Sequence, residues 1–440
     1  MISYGLRYIT IFLFFILPVA HAEDPPALVL GDLVAEALDN NPSLKAARYQ
    51  KLAVETRISQ AKAWEAPQIG VEFPLTPVSS FPNPFKDSME TDYFVQQKIP
   101  FPGKTTIMAQ SERSNSEMTA WSVKSLENIT VRDLKNVYYD LYLVQKKIKI
   151  NAESQDLMRQ FAELARKQYE LGKGNQADVL RAQTELSMLI NEGSTMKQEK
   201  QVMETMINTI LGRSPEQPLG SVPDIDVHQL SSKKVKSDET ALKKRPELKA
   251  MDENIRMKDA ELALAKRDYY PDIMLRLMYK SMKEGPDDYF STMISMDIPF
   301  LFLSGGKIKG RVEESRLNIL KAKEDLRAME NMTRFQIREA MNNVDTNHRT
   351  MEFYRSTVIP QAEQTREAMG AAYTTGTAEL FSLIEALRTE LGARENYHGS
   401  VAAYMKSLAA LDQATGRDPV IILSENPDTP SKNMERKSHE

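Results

Sequence analysis

The sequence of 440 residues contains no cysteine, which excludes thiolate chemistry, disulfides and lipid attachment through a cysteine. Histidine is scarce, and none of the five has the spacing of a zinc site such as His-Glu-x-x-His. After residue 22, no stretch is apolar enough over the ~20 residues that a membrane-spanning helix needs. An excess of one charge is lacking too, because the 57 basic and 61 acidic residues are mixed and give a net charge of −4. These absences argue against a metalloenzyme, a nucleic-acid-binding protein and a helical membrane protein.

Motifs that carry catalysis or bind a cofactor are also missing. Gly103-Lys104-Thr105 resembles the end of a phosphate-binding P-loop, but Lys98 stands where that motif needs its first glycine. No Gly-x-Ser-x-Gly nucleophile setting occurs. His348 lies on an apolar helical stripe, where a hydrogen-bonded packing role is commoner than metal binding. We therefore expect no enzyme, no cofactor and no metal site of this kind.

The first 22 residues have the pattern of a signal peptide. Arg7 supplies the positive charge, residues 8–20 form a short apolar core, and Ala20-His21-Ala22 is an A-x-A cleavage site. The sequence therefore predicts an exported protein.

The sequence contains two copies of one unit. An offset of 204 residues relates Pro42 to Pro246, Gly172 to Gly376, and Gly212 to Gly416. Each copy reads helix, strand, strand, long helix, turn, helix, with the first helix expected as one piece over 31–64 and 237–269. The long helices are expected over 104–171 and 306–375, which would span roughly 100 Å at 1.5 Å per residue.

These repeats define the expected organisation of the chain. The segments are a signal peptide at 1–22; repeat one at 23–212, with a β-hairpin at 67–99 and a tip turn at 172–175; a linker at 213–236; repeat two at 237–417, with a β-hairpin at 271–298 and a tip turn at 375–377; and a polar tail at 418–440.

The strand that follows Pro271 has a period of two, with its charged residues on one face and a row of apolar residues on the other. Its expected lipid-facing residues are Ile273, Leu275, Leu277 and Tyr279, and its expected lumen-facing residues are Asp272, Arg276 and Lys280. Only helices and closed barrels satisfy every backbone group in lipid, and outer-membrane barrels begin at about eight strands. Four strands per chain therefore predict a channel that forms only when several chains assemble.

A different class of protein also fits the long polar helices. A periplasmic coiled-coil protein with a structural or adaptor role and no pore would need the same rods. The alternating strand, bordered by Tyr269, Tyr270 and Tyr279, favours the channel. The 23 methionines are scattered at helical spacing and indicate core packing, although thioethers can also bind Cu(I) or Ag(I).

Several doubled motifs resemble the TolC family of outer-membrane efflux proteins over residues 32–417. The matching segments are Asn41-Pro42-x-Leu44-x-Ala46, Arg245-Pro246-Glu247-Leu248, Tyr270-Pro271-Asp272-Ile273, Ile99-Pro100-Phe101-Pro102-Gly103-Lys104, Ile298-Pro299-Phe300 with Gly305-Gly306-Lys307, and Tyr169-x-x-Gly172 followed by Asp178-Val179-Leu180. The Pro-Phe-Pro-Gly-Lys segment and the long first loop resemble the heavy-metal-cation branch more than the multidrug branch.

The resemblance implies a mainly α, internally duplicated fold. Long antiparallel helices would form an α-barrel, and four strands per chain would form a trimeric 12-stranded β-barrel. It also implies a homotrimer in the outer membrane that extends into the periplasm. Its partners would be a periplasmic adaptor, an inner-membrane pump of the RND type and outer-membrane lipid, with no nucleic acid. The exported substrate stays open between metal ions and organic compounds.

The resemblance also implies functions for residues at the periplasmic tip. Gly172, Asp178 and Gly376 would lie at the adaptor docking surface. Ser382 and Glu385 fall at the positions of an acidic constriction, of which only Glu385 keeps the acid, and Ala378 replaces a basic residue that helps lock the closed state. A solvated charge on a helix face is the alternative for Glu385.

Overall fold

The computed structural model describes residues 27–74, 76–80, 83, 85, 88–225, 242–283, 287–298 and 305–416. The expected signal peptide, the second half of the linker, the polar tail and the Pro299-Phe300 pair lie outside the described residues.

Within the described residues, the first repeat contains four long α-helices and two strands. They are α1 Leu30–Asn40, α2 Pro42–Lys62, β1 Gln68–Glu72, β2 Glu90–Ile99, α3 Lys104–Glu170 and α4 Gln176–Leu211, with a short 3-10 turn at Val78–Ser80 in the loop between the strands.

The second repeat follows the same order with one fewer helix at its start among the described residues. Its elements are α5 Pro246–Arg267, β3 Ile273–Met282, β4 Tyr289–Met296, α6 Gly305–Phe353, a π-helical segment Tyr354–Val358, α7 Ile359–Thr374 and α8 Leu380–Ala414. The expectation of long antiparallel helices with four strands per chain is confirmed.

The expected single first helix over 31–64 is wrong, because the chain breaks at Asn41. The residue before a proline is disfavoured in the α region, and Asn41 has φ −55° and ψ 122°. Its side-chain oxygen accepts the Leu44 N–H at 3.1 Å, which caps α2, and its amide donates to the Ile210 carbonyl at 2.8 Å. Asn41 therefore begins a new helix, and its hydrogen bond to Ile210 holds this helix against the end of α4.

The second long helix is interrupted by the π-helical segment just before Pro360. Proline has no N–H to donate and its ring crowds the preceding turn, so the chain inserts an extra residue into that turn. The apolar stripe that the sequence places on this helix is less buried at the interruption. Met351, before the segment, is fully buried, whereas Tyr354 and Val358 within it are only half-buried.

The main hydrophobic core lies where helices of both repeats meet. Leu134 and Leu141 of α3 are fully buried there with Ile207 of α4, Met351 of α6 and Val401 of α8. The first half of the expected linker belongs to the same core, because Leu219 and Val222 are buried in it. No helix among the described residues combines the length and the apolarity needed to cross a membrane.

The four strands form one antiparallel sheet in the order β1-β2-β3-β4. The register pairs Gln96 of β2 with Arg276 of β3, and Arg276 with Met293 of β4. The strand from the second repeat begins one residue later than the alternation suggested and extends to Met282. The central β2–β3 pair joins the two repeats, so neither hairpin stands alone.

The helical core also contains a partly buried pair of titratable groups. Tyr142 Oη lies 3.0 Å from His398 Nδ1. Burial, and then the charges of Lys146, Arg394 and Lys149, lower the pKa of His398 to about 4. A neutral imidazole is therefore favoured in the fold, while the unfolded chain takes up a proton near pH 6.5.

We expect this histidine to weaken the fold under mild acid. A folded-state pKa below the unfolded value contributes stability that is present above about pH 6.5 and is lost as the pH falls towards 4. At ~1.4 kcal/mol per pKa unit, discounted for partial exposure, the loss is on the order of 2 kcal/mol. Urea unfolding followed by circular dichroism at pH 7.5 and pH 4.5 measures it. His398→Gln should lose less stability over this interval than the unaltered protein, and an equal loss would contradict the assignment.

Candidate functional site: the sheet and the helical tip

The sheet has two chemically different faces. The apolar face carries Ile69, Ile273, Leu277 and Ile294, and the polar face carries Glu72, Asp92, Arg276 and Lys280. Ile69 is 84% exposed in the single chain and Ile294 is 66% exposed. An apolar surface of this extent needs lipid or protein against it.

The residues expected to face lipid all lie on this apolar face. Ile273, Leu277 and Tyr279 are exposed, and Leu275 is half-buried between its neighbours on β2 and β4. The aromatic ring of Tyr279 lies beside the rings of Tyr93 and Phe290, with centroids 6.3 Å and 5.4 Å away. The apolar face therefore ends in an aromatic cluster near one rim of the sheet.

Arg276 lies at the centre of the polar face. Its Nη2 is 2.6 Å from Glu72 Oε2 on β1, and its guanidinium lies 3.8 Å above the Phe94 ring on β2. That ring covers Gly70, where a Cβ atom would lie only 2.4 Å from the Phe94 Cζ. The absence of a side chain at Gly70 thus makes room for the Phe94 ring, and the Arg276 guanidinium packs on that ring.

The other two residues expected to face the lumen are also paired. Lys280 Nζ lies 2.7 Å from Glu90 and 3.2 Å from Asp92. Asp272 accepts the Phe101 N–H at 2.9 Å and pairs with Lys104 Nζ at 2.9 Å. These three residues form a series of separate ion pairs along the polar face instead of one convergent site.

Lys104, the lysine of the segment that resembles a P-loop, binds carboxylates of the protein itself. Its ammonium binds the carboxylates of Asp272 and Asp268, at 2.9 Å and 3.6 Å. Gly103 before it has φ +87°, and a Cβ there would lie 2.7 Å from Arg267 Nη1. These contacts therefore hold the residues that follow β2 against the residues that precede β3.

The opposite end of the long helices consists of two glycine turns. Gly172 follows α3 with φ +70°, and Gly376 follows α7 with φ +76°. The N–H of Lys173 donates to the Gln168 carbonyl at 2.9 Å, and that of Thr377 donates to the Ala372 carbonyl at 2.9 Å. No atom lies within 4 Å of a Cβ added at either glycine. Both turns are open to a partner.

Asp178 lies in the first turn of α4, next to these turns. Its N–H donates to Asn175 Oδ1 at 2.8 Å, and its side chain lies at the positive end of the helix dipole. Burial, followed by the charge of Asp178, raises the pKa of Tyr373, which ends the helix of the other repeat. The two tip turns are therefore neighbours in space.

Glu385 is not a free carboxylate in the folded chain. Arg388 Nη1 lies 2.9 Å from Glu385 Oε1, and the same guanidinium binds Glu185 of α4 through two hydrogen bonds of 2.8 Å and 2.5 Å. The Glu185 side chain is only 9% exposed. Hydrogen bonding to Glu185 is the main reason that the pKa of Arg388 is raised. Ser382, by contrast, is exposed, and its N–H bonds the Glu379 carbonyl.

Sequence reasoning missed Arg388 and Glu185. The Glu385–Arg388 spacing of three residues is a visible helical pairing pattern, but Glu185 lies 203 residues away in the chain. The three charges border a cavity of about 340 Å³ between α4 and α8, beside Arg181, which lies 5.1 Å over the Phe381 ring. Among the described residues, no three imidazole or carboxylate groups are arranged to hold a metal ion.

Comparisons with known proteins agree with this architecture. The model of the outer membrane efflux protein family matches residues 33–213 and 239–417. The cobalt-zinc-cadmium resistance protein CzcC of Cupriavidus metallidurans is 19% identical over 408 residues, which are 91% of this chain and 93% of that protein. The solved outer-membrane channel OprN has a TM-score of 0.76 at 16% identity, over 88% of this chain and 89% of its own. The outer membrane protein VceC of Vibrio cholerae has a TM-score of 0.73 at 16% identity, over 88% and 96%.

Proposed function

Because the chain belongs to the outer membrane efflux protein family and is an efflux channel of the outer membrane, we propose that it exports metal cations as a homotrimer. The channel is a passive duct, and the energy comes from an inner-membrane pump of the RND type through a periplasmic adaptor. Its family and fold are those of channels, not enzymes.

The observation that carries the proposal is the separation of the sheet into an apolar and a polar face with two open edges. β1 and β4 lie at the edges, so their outer N–H and C=O groups have no partner strand in the single chain. Lipid offers no hydrogen bonds to such groups, and four strands are too few to close a barrel. Three copies joined edge to edge give twelve strands, with the apolar face towards lipid and the polar face towards water.

Two features support a cationic substrate. Glu72, Glu90 and Asp92 place carboxylates along the polar face, where each is matched by a basic side chain of the same chain. Such a surface offers carboxylate oxygens to a passing cation, and its net charge is too small to bind the cation tightly. The relative CzcC is described as a cobalt-zinc-cadmium resistance protein, and we extend metal export to this chain on that basis.

Assembly and metal export can be tested in one set of preparations. We expect light scattering in mild detergent to give three chains per particle, and planar bilayers to show discrete conductance steps. Deletion of the gene should make cells more sensitive to metal salts, and the intact gene should restore resistance. A monomer with intact β-structure would contradict the barrel, and unchanged metal sensitivity would contradict the substrate.

The tip cluster gives a further prediction about ion selectivity. Arg388→Gln removes the cation that neutralises Glu385 and Glu185, so each chain gains about one negative charge near the tip. The preference for cations should rise, and more strongly at low salt, because salt screens charge. The reversal potential under a KCl gradient measures it.

A matched control is Arg349→Gln, which breaks an exposed pair with Asp345 elsewhere on the helices. This variant should keep the selectivity of the unaltered channel. Equal selectivity in all three proteins would show that the tunnel does not narrow at Glu385.

A further inference from the structure

The helices next to the sheet lie in the same order as its strands. α2 leads into β1, α3 follows β2, α5 leads into β3 and α6 follows β4. α2 packs on α3, α3 packs on α5 and α5 packs on α6, just as β1 to β4 pair in turn. The outer elements of this series are β1 with α2 on one side and β4 with α6 on the other. Each open edge of the sheet therefore continues into an outer helix.

The repeat supplies a template for what covers these two outer helices. α2 corresponds to α5 through the offset of 204 residues. α6 corresponds to α3 through an offset of 203, because Glu127-Asn128-Ile129-Thr130 matches Glu330-Asn331-Met332-Thr333. Within the chain, the long helix of the first repeat, α3, packs on the first helix of the second repeat, α5. The same contact made by the second repeat joins α6 to an α2, and in a closed ring that α2 belongs to another copy.

The contact between α3 and α5 shows which side of each helix is used. Lys249 Nζ lies 4.1 Å from the centre of the Trp121 ring, and Ser125 Oγ donates to Glu247 Oε1 at 2.7 Å. Ser114 lies seven residues before Trp121, on the same side of α3. Ser114 and Ser125 are only 8% and 9% exposed. This stripe of α3 is therefore the one that faces α5.

The equivalent stripe of α6 is exposed in the single chain. Leu317 occupies the position of Ser114 and is 55% exposed, and Ala328 occupies that of Ser125 and is also exposed. Ile337, on the opposite side of α6, is fully buried. The single chain thus covers one side of α6 and leaves a leucine on the other.

The equivalent side of α2 is exposed as well. Pro42 and Thr56 are exposed, whereas their counterparts Pro246 and Ala260 in α5 are buried. Both outer helices therefore lack a neighbour at the positions where their counterparts in the chain have one.

Opposite charges occupy the centre of this missing contact. Glu324 of α6 stands at the position of Trp121, and Lys45 of α2 stands at that of Lys249. The pair of tryptophan and lysine within the chain thus becomes a pair of glutamate and lysine between copies. Both side chains are exposed in the single chain, where Glu324 is 75% exposed and lies 3.9 Å from Arg327. An ion pair so open to water contributes little, so Glu324 is available to a neighbouring copy.

We propose that α6 of one copy packs on α2 of the next, with Glu324 of the first copy paired to Lys45 of the second. The inference rests on the proposed function in one respect, that copies join edge to edge through β4 and β1. The partner of both outer helices is a second copy of this chain. The contact is heterologous, because each copy presents two different surfaces, and such contacts generate a closed ring.

Charge reversal tests the ion pair. Lys45→Glu and Glu324→Lys each place like charges at three junctions of a trimer, and the double variant restores an opposite pair with the charges exchanged. The control is Asp325→Lys, which makes the same change one residue further along α6. Its counterpart in α3, Ser122, stays exposed although α5 packs on that helix. The readout is the amount of trimer in isolated outer membranes.

We expect each single reversal to lower the amount of trimer about tenfold, because a small penalty at each junction acts three times. The double variant should recover most of the loss. Asp325→Lys loses only an exposed pair with Lys321 and should assemble normally, and it should not rescue Lys45→Glu. A double variant no better than the single ones, or a control as harmful as Glu324→Lys, would overturn the ion pair.

Cross-linking tests the packing of the helices, and the absence of cysteine from the chain leaves no background thiol. Ser43 and Ala328 correspond to Glu247 and Ser125, which are in contact within the chain. The variant Ser43→Cys with Ala328→Cys, treated in membranes with a short bismaleimide, should give covalent trimers on a denaturing gel. Each single-cysteine variant should stay monomeric on that gel, because the two positions lie on different surfaces.

Co-expression of the two single-cysteine chains gives a sharper result. Each Ser43→Cys chain can link only to an Ala328→Cys chain, so covalent dimers should form and covalent trimers should not. Covalent dimers from one single-cysteine variant alone would show a face-to-face contact. That result, linkage to a different protein, or no linkage of the double-cysteine chain would each overturn the interface.

Neither readout depends on metal export, so the two proposals can fail separately. Covalent trimers in cells whose metal sensitivity does not change on deletion of the gene would sink the proposed substrate and leave the interface standing. Conducting channels whose double-cysteine form stays unlinked would keep the channel and overturn the interface.

Discussion

Leu277→Arg should sharply reduce the amount of assembled channel in the outer membrane. Leu277 lies on the apolar face of the central strand β3, opposite Thr292 of β4, and is 48% exposed in the single chain. An arginine on a lipid-facing position costs about 2–4 kcal/mol near the bilayer midplane. In a trimer the substitution occurs three times, so the assembled state is penalised at three places at once.

The matched control is Ser291→Arg, one residue before Thr292 and therefore on the opposite face. This side chain should reach water and leave assembly intact, while shifting ion selectivity towards anions. The quantity to measure is the amount of trimer in isolated outer membranes, relative to the unaltered protein. If both variants assemble equally well or equally badly, the assignment of the two faces is wrong.

Much of the fold could be predicted because it depends on local patterns. The alternation along β3 reports its two faces directly, since side chains of a strand point to opposite sides. The glycines that end the long helices are equally local signals, because a left-handed residue at that position favours glycine. The offset of 204 residues then transfers each feature from one repeat to the other.

Other features were missed although their signal is present in the sequence. Asn41-Pro42 marks a helix start, because proline favours the first helical position and asparagine caps it. The expectation of one helix over 31–64 overlooked this local rule, and the break at Asn41 shows that the rule applies here. Pro360 similarly produces a π-helical segment where a continuous helix was expected.

The side-chain clusters could not be predicted because they join distant parts of the chain. Arg388 binds Glu185 from the other repeat, and Arg276 binds Glu72, 204 residues before it. Which charges meet depends on the register of the sheet and the rotation of long helices, and a one-residue shift exchanges the partners. The assignment of Glu385 as a constriction residue stays a prediction, now with Arg388 as its neighbour.

Gly212→Val should destabilise the fold more than any other glycine-to-valine change at a helix end of the first repeat. Gly212 has φ +72°, and a Cβ there would lie 2.9 Å from the Asn40 carbonyl oxygen. Its counterpart Gly416 has φ +64° and meets the Lys244 carbonyl group at 3.0 Å. The left-handed conformation costs a β-branched residue about 1–3 kcal/mol, and a clash with backbone that cannot move aside adds about 1–3 kcal/mol. Urea unfolding measures the sum.

Gly172→Val is the matched comparison, because it changes the same residue type at nearly the same φ, +70°, with nothing within 4 Å of an added Cβ atom. Only the backbone term of about 1–3 kcal/mol applies there, and local rearrangement of the open turn relieves part of it. We expect Gly172→Val to keep the trimer and its conductance but to lower efflux in cells, since the turn lies where an adaptor would dock. Gly212→Val should lower the amount of trimer itself. Equal unfolding free energies in the two variants would contradict the backbone clash, and undiminished efflux by Gly172→Val would place the docking surface elsewhere.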